Sequence, residues 1–119
     1  MLKELKKAMQ ITVTDFDPML ANFLMAGASD LTISGVQLPG DVTFTISQGD
    51  VVTDTSTLTD PKAMQAVLTY AAAHAEKFWN GKNADALEEA YESQKGQLMH
   101  ATGYTDYGEE TEQDGGEGA

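Results

Sequence analysis

The residue types that carry out most nucleophilic and metal chemistry are sparse in this sequence. It has two histidines, His74 and His100, and no cysteine, so a nucleophile beside a base or a cluster of metal ligands has few candidates. His74 falls in an alanine-rich segment, where we expect a partly buried or interfacial histidine. His100 follows the last predicted helix, where a cation favours the helix dipole. We therefore predict no metal site and no cofactor.

Carboxylates are the other candidates for chemistry, because a pair of them can perform acid–base catalysis. The densest group before the C-terminal segment is Glu88, Glu89 and Glu92, which lies opposite the apolar stripe of its predicted helix. We expect a solvated helix face there. The glycines match no phosphate-binding spacing, and no Gly-Lys-Ser/Thr follows them. The sequence predicts that the protein is not an enzyme.

The overall charge narrows the choice of partners. The chain has 119 residues and a formal charge of −12, with seven lysines and no arginine. Such a chain is a poor candidate for binding phosphate groups, since guanidinium contacts dominate phosphate-binding sites.

No apolar run approaches the ~20 residues of a membrane span, and the start MLKELKK lacks the apolar region of a signal peptide. We expect one domain in a cytoplasm-like compartment, without a membrane.

Half of the negative charge lies at the C-terminal end. Residues 104–119 contain six acidic residues and no lysine, which accounts for −6 of the −12. With four glycines and no large apolar residue after Tyr107, this composition predicts a tail that does not order by itself. We therefore predict a helical domain over residues 1–103 and a partner-ordered tail over 104–119. The predicted partner contacts of the tail are Tyr104, Tyr107, Glu109, Glu110 and Glu112.

Apolar spacing predicts two helices in the first third of the chain. Leu2, Leu5 and Met9 recur at helical spacing, with lysines on the other side. A longer helix follows, and its start is left open between a cap at Thr14 and a cap at Asp17. It is expected to end near 34–35, where a glycine can adopt the left-handed conformation.

The next segment changes its period to two. Val42, Phe44 and Ile46 alternate with polar residues, and Gln48-Gly49 separates them from Val51 and Val52. This pattern predicts a β-hairpin within an insertion over about residues 37–59. Two roles remain open for the hairpin: a loop facing a channel or a partner, or a lid over the apolar face of the helices.

Two further helices are predicted after the hairpin. Asp60 before Pro61 is a strong helix start, and an apolar stripe from Met64 to Phe78 ends at 80–81. The last helix is expected from about Asn83 to Met99. The fold class is therefore mainly α, a small bundle of about four helices with an inserted hairpin and an extended acidic C-terminal tail.

Four strings of the chain form an ordered set: LKKAMQIT, DFDPMLANFLMAGASDLTISGV, DPKAMQAVLTYAAAHAEKFWN and ALEEAYESQKGQLMHATGY. Taken in this order, they resemble the head-tail connector (adaptor) proteins of long-tailed bacteriophages. The resemblance covers about residues 2–36 and 60–104. This chain departs from the family in its hairpin, where the family has a shorter link, and in its acidic glycine-rich tail. The matching positions are Leu5, Lys6, Lys7, Ala8, Ile11, Thr12, Asp15, Asp17, Leu31, Ser34, Gly35, Val36, Asp60, Pro61, Tyr70, Tyr91 and Leu98.

The resemblance implies a structural subunit of the virion head-tail junction, assembled in the host cytoplasm. Its partners would be further copies of itself in a ring, usually of twelve, the portal protein, and the next head-completion or tail-side protein. DNA would pass through the ring without specific binding. The candidate ring interface is the small-residue face of the third helix with its flanking aromatic groups, Ala71, His74, Ala75 and Trp79. The alternative function is an acidic DNA mimic, or another inhibitory interaction protein of phage origin.

Overall fold

A computed structural model describes residues 1–100, and within them the chain is mainly helical, as predicted. The tail residues Tyr104, Tyr107, Glu109, Glu110 and Glu112 lie outside the described residues. The elements are α1 (Leu2–Ala8), α2 (Asp17–Ile33), β1 (Phe44–Ile46), β2 (Val52–Asp54), α3 (Pro61–Phe78) and α4 (Ala84–His100).

Helix α3 is the central element, with α2 and α4 as its main packing partners. Five of its six alanines are almost fully buried, because small side chains allow neighbouring helices to approach α3 on more than one side. Leucines and valines of the other elements complete the core. The largest fully buried side chains are Leu5, Leu20, Leu24, Leu31, Val36 and Val67. Within residues 1–100, no helix is both long and apolar enough to cross a membrane.

The predicted capping residue is found at the start of α3 but not at the start of α2. At α3, the Asp60 carboxylate accepts a hydrogen bond from the Ala63 amide at 3.0 Å, and Pro61 is the first helical residue. At α2, neither Thr14 nor Asp17 caps the helix through its side chain, since the cap position is Phe16. The Asp17 carboxylate instead forms an ion pair of 2.8 Å with Lys6, which joins α1 to the start of α2.

Three helices end on a residue in the left-handed conformation. Gly35 has φ of 100°, as predicted, while Gln10 and Asn80 take φ of 59° and 55° after α1 and α3. In each case the amide of the following residue donates a hydrogen bond to a carbonyl oxygen of the last helical turn, as from Val36 to Leu31 at 2.9 Å. This is the Schellman arrangement, which glycine adopts at least cost. At the end of α3, Asn80 rather than Gly81 therefore makes the turn.

The predicted hairpin is present, and its base takes the second of its two candidate roles. β1 and β2 pair antiparallel, with Phe44 opposite Asp54 and Ile46 opposite Val52. Val42 is buried, and Phe44 and Val52 pack against the core as partly buried side chains. The base of the hairpin is therefore a lid over the helices. Ile46 and Val51 near the tip are exposed.

Candidate functional site

A groove of about 320 Å³ lies where residues of α2, α3 and α4 meet. It is mainly aromatic at its floor and acidic at its rim. The lining residues are Asp30, Tyr70, Ala73, His74, Glu88, Tyr91 and Glu92.

The most strongly bonded part of this groove is a three-residue polar cluster. The Tyr91 hydroxyl donates a hydrogen bond of 2.5 Å to the Asp30 carboxylate, and the Lys95 ammonium lies 3.4 Å from the same oxygen. The Lys95 ammonium also lies 5.3 Å from the centre of the Tyr91 ring. Burial raises the pKa of Tyr91, and the bond to Asp30 raises it further. The phenol therefore remains a protonated donor at neutral pH.

His74 is half-buried on the aromatic side of the groove, in agreement with its predicted environment. Its ring stacks on Tyr70 with a centroid separation of 4.2 Å, and Phe23 lies 5.8 Å away. The Nδ1 atom is 3.1 Å from the carbonyl oxygen of Tyr70, one helical turn earlier. The imidazole is therefore held by its own helix and by ring contacts.

These contacts favour a role for the groove in fixing the three helices. Asp30, Tyr91 and Lys95 satisfy one another, and no Ser or Thr is among the groove's lining residues. Among residues 1–100, no three His, Cys, Asp or Glu side chains are placed to hold a metal ion.

A second surface feature lies where the start of α2 meets the end of α3. Phe16 and Trp79 pack edge to face with centroids 5.1 Å apart, and Phe78 packs in the same manner on Trp79 at 5.5 Å. Phe78 is 57% exposed and Trp79 is 38% exposed. We call Phe16, Phe78 and Trp79 the aromatic end patch.

The aromatic end patch corrects one expectation. The apolar stripe of α3 places Phe78 in the core, but it is exposed, because Trp79 takes the position against Phe16.

The ring-interface prediction also needs a correction. Ala71 and Ala75 are fully buried in the core of their own chain, where a second copy cannot touch them. They are small because α3 is packed on several sides by the helices of the same chain. His74 and Trp79 retain exposed surface and stay candidates for a contact.

More apolar surface is exposed at the other end of the helices. Ile33, the last residue of α2, is 82% exposed, and Met99, near the end of α4, is also exposed. We refer to these two exposed side chains, each at the C-terminal end of its helix, as the far-end patch. Since α2 has 17 residues, a rise of 1.5 Å per residue places this patch about 25 Å from the aromatic end patch along the helix.

A third surface feature is a groove beside α1. It has a volume of about 530 Å³ and combines lysines with apolar side chains. We call it the α1 groove. The lining residues are Leu2, Lys3, Lys6, Lys7, Ile11, Asp17, Val52 and Asp54.

Sequence patterns predict neither the Asp30–Tyr91–Lys95 cluster nor the aromatic end patch. Asp30 and Tyr91 are 61 positions apart. The helical spacing of Tyr91 by itself predicts only a core residue of α4. The one available signal was Asp30, a charged residue close to the buried stripe of α2.

Comparisons of this chain with protein-family models, with curated proteins and with solved structures give no match.

Proposed function

We propose that this protein is a structural subunit of the head-tail connector of a long-tailed bacteriophage. In this proposal it forms a ring of about twelve copies beneath the portal protein, continues the DNA channel, and joins the portal to the next head-completion or tail-side protein. The proposal begins from the ordered strings that resemble the connector family.

The observation that carries the proposal is the pair of exposed apolar patches at opposite ends of α2. Phe78 and Trp79 lie at one end, and Ile33 and Met99 lie at the other. A closed ring is built from head-to-tail contacts, in which two different surfaces of one subunit meet those of its two neighbours. A subunit with exposed apolar side chains at two separate places can supply two such surfaces.

Charge supports the same proposal. The described residues contain seven lysines and thirteen acidic residues, and no arginine. A net negative wall repels DNA phosphates and does not retain them, because retention depends on cationic side chains. DNA can then slide through the ring without specific binding.

The mass of the assembled protein tests the proposal directly. Light scattering after gel filtration, followed by electron microscopy, should show rings of about a dozen copies, formed by the chain alone or on the purified portal. A monomer or dimer that fails to bind the portal and competes with DNA for a DNA-binding protein would overturn the proposal. That result would favour the alternative of an acidic DNA mimic.

Matched variants locate the contacts. Phe78→Ser and Ile33→Ser should each weaken ring formation while the far-ultraviolet circular dichroism spectrum is retained, because both side chains are largely exposed. Phe78→Leu and Ile33→Val keep the apolar surface and serve as controls that should still assemble. Full assembly of both serine variants would contradict the role of the patches.

A further inference from the structure

The start of the chain has the opposite charge to the remainder. Residues 1–12 contain three lysines and one glutamate, a net +2, while residues 13–100 contain four lysines and twelve acidic residues, a net −8. All three of these lysines, Lys3, Lys6 and Lys7, line the α1 groove. The groove is therefore a local basic surface on an acidic protein.

The lysines of this groove differ in their availability. The Lys6 ammonium forms an ion pair with the Asp17 carboxylate at 2.8 Å. Lys3 and Lys7 are exposed, and within residues 1–100 neither forms an ion pair. The acidic Asp54 at the groove is already paired with the Met1 ammonium at 2.6 Å. Two cationic groups thus remain free to meet an anionic ligand.

The apolar part of the groove defines the rest of that ligand. Ile11 and Val52 are partly buried and pack against the core, and Leu2 forms part of it. A ligand that fits must combine several carboxylates with one or two large apolar side chains. Residues 104–119 of this chain have that composition, with six acidic residues following or flanking Tyr104 and Tyr107.

We propose that the α1 groove binds the acidic C-terminal segment, residues 104–119, of a second copy of this chain. This inference rests on the ring assembly of the proposed function and adds a second contact between neighbouring subunits, besides that of the apolar patches. The Tyr104 or Tyr107 ring packs on Ile11 and Val52, while carboxylates of the segment meet Lys3 and Lys7.

The length of the tail allows it to reach a neighbouring copy. Helix α4 ends at His100, and its Leu98 lies in a hollow with Lys62 at the start of α3. The α1 groove reaches Asp17, at the opposite end of α2. The 19 residues after His100 span up to about 60 Å when extended. They are thus long enough to leave one copy and reach the next, and a head-to-tail contact whose rotation closes builds a ring.

Cysteine cross-linking tests the contact, because the chain contains no cysteine of its own. Full-length Lys7→Cys and Glu110→Cys are mixed and oxidised mildly. They should give a disulfide-linked pair containing one chain of each kind. Lys82→Cys, an exposed lysine distant from the groove in sequence, replaces Lys7→Cys as the control and should give at least tenfold less of that product. Equal yields from the two mixtures would overturn the inference.

The double variant Lys7→Cys/Glu110→Cys distinguishes a neighbour from the same molecule. Oxidation should produce linked chains of high mass, with the monomer band depleted. An intramolecular disulfide in an otherwise monomeric product would overturn the second-copy assignment.

Charge reversal gives an independent measurement. Lys3→Glu/Lys7→Glu should weaken self-association about tenfold, in proportion to the loss of two exposed ion pairs. Lys62→Glu/Lys82→Glu is the charge-matched control and should associate like the wild type. Adding Glu109→Lys/Glu110→Lys to the first variant should restore association.

The outcomes separate this inference from the proposed function. Rings that form normally with Lys3→Glu/Lys7→Glu would overturn the tail contact and leave the connector proposal intact. Absence of any ring or portal complex from the wild-type chain would overturn both.

Discussion

Tyr91 on α4 donates a hydrogen bond of 2.5 Å to Asp30 on α2, although both helices pack mainly on α3 and the residues are 61 positions apart. The bond links the two outer helices of the bundle across the central one. Tyr91 is 4% exposed, so its hydroxyl needs this partner.

Removing the hydroxyl should destabilise the fold. Tyr91→Phe leaves the ring in place but removes a hydrogen bond to a charged group, so we expect the free energy of unfolding to fall by about 1.5–3 kcal/mol. Urea denaturation measures the change. Tyr70→Phe is the matched control, since the Tyr70 hydroxyl makes no hydrogen bond within residues 1–100. Equal effects of the two variants would contradict this prediction.

A double-mutant cycle should show that Asp30 and Tyr91 act as a pair. Asp30→Asn combined with Tyr91→Phe should cost less than the sum of the two single changes, with a coupling energy of about 0.5–3 kcal/mol. Additive effects would mean that the short bond adds no stability.

The ion pair at the start of the chain predicts a dependence of stability on pH. Burial alone raises the pKa of Asp54, but the hydrogen bonds from the Met1 ammonium and from Ser56 outweigh it and lower the pKa to about 2, from an ordinary value of 3.8. Because the folded state holds this carboxylate ionised, its stabilisation is present above pH 3.8 and is lost as the pH falls towards 2.

Asp54→Asn should therefore lower the free energy of unfolding at pH 7 by about 1 kcal/mol or less, since the pair is partly exposed to solvent. The difference from the wild type should shrink as the pH falls from 4 towards 2. Denaturation series at several pH values measure it. Asp50→Asn, which removes an exposed carboxylate at the hairpin tip, is the control.

The left-handed residue after α1 offers a stabilising substitution. Gln10 takes φ of 59°, which costs a residue with a Cβ more than it costs glycine. Gln10→Gly should raise the free energy of unfolding by about 0.5–1 kcal/mol, measured as a higher thermal midpoint. Gln37→Gly, at an exposed position without a positive φ, should leave the midpoint unchanged or lower it.

A glycine near the base of the hairpin should not tolerate a side chain. A Cβ at Gly40 would lie 2.7 Å from the Leu58 Cα, and these are backbone atoms that cannot move aside cheaply. Gly40→Ala should therefore lower the free energy of unfolding by about 1–3 kcal/mol and expose the buried Leu58 region to hydrogen exchange. Gly49→Ala is a useful comparison, because a Cβ there meets nothing within 4 Å and only the φ of 76° opposes it.

Local patterns in the sequence were sufficient for the elements of this fold. The Asp60-Pro61 start of α3, the Gly35 end of α2 and the alternation through Val42, Phe44 and Ile46 each depend on a few neighbouring residues. Capping, left-handed turns and side-chain period are properties of short segments. The sequence alone therefore predicts the four helices and the hairpin.

Other features depended on which elements pack together. Ala71 and Ala75 present small side chains whether α3 meets a second copy or its own neighbours, and only their burial assigns them to the core of the same chain. Phe78 belongs to the apolar stripe by spacing, yet Trp79 takes the contact with Phe16. The burial of the hairpin's base and the exposure of its tip are likewise seen only in the tertiary structure.

By itself, the sequence determined the helical class, the order of the elements and the uneven distribution of charge, because each is set by residue type and local spacing. Tertiary structure alone decided the Asp30–Tyr91 link, the two apolar patches and the gathering of Lys3 and Lys7 beside Val52. These features join residues that are distant in the chain, and no local pattern specifies which distant segments meet. Their positions follow from how the helices and the hairpin bury their apolar surfaces together.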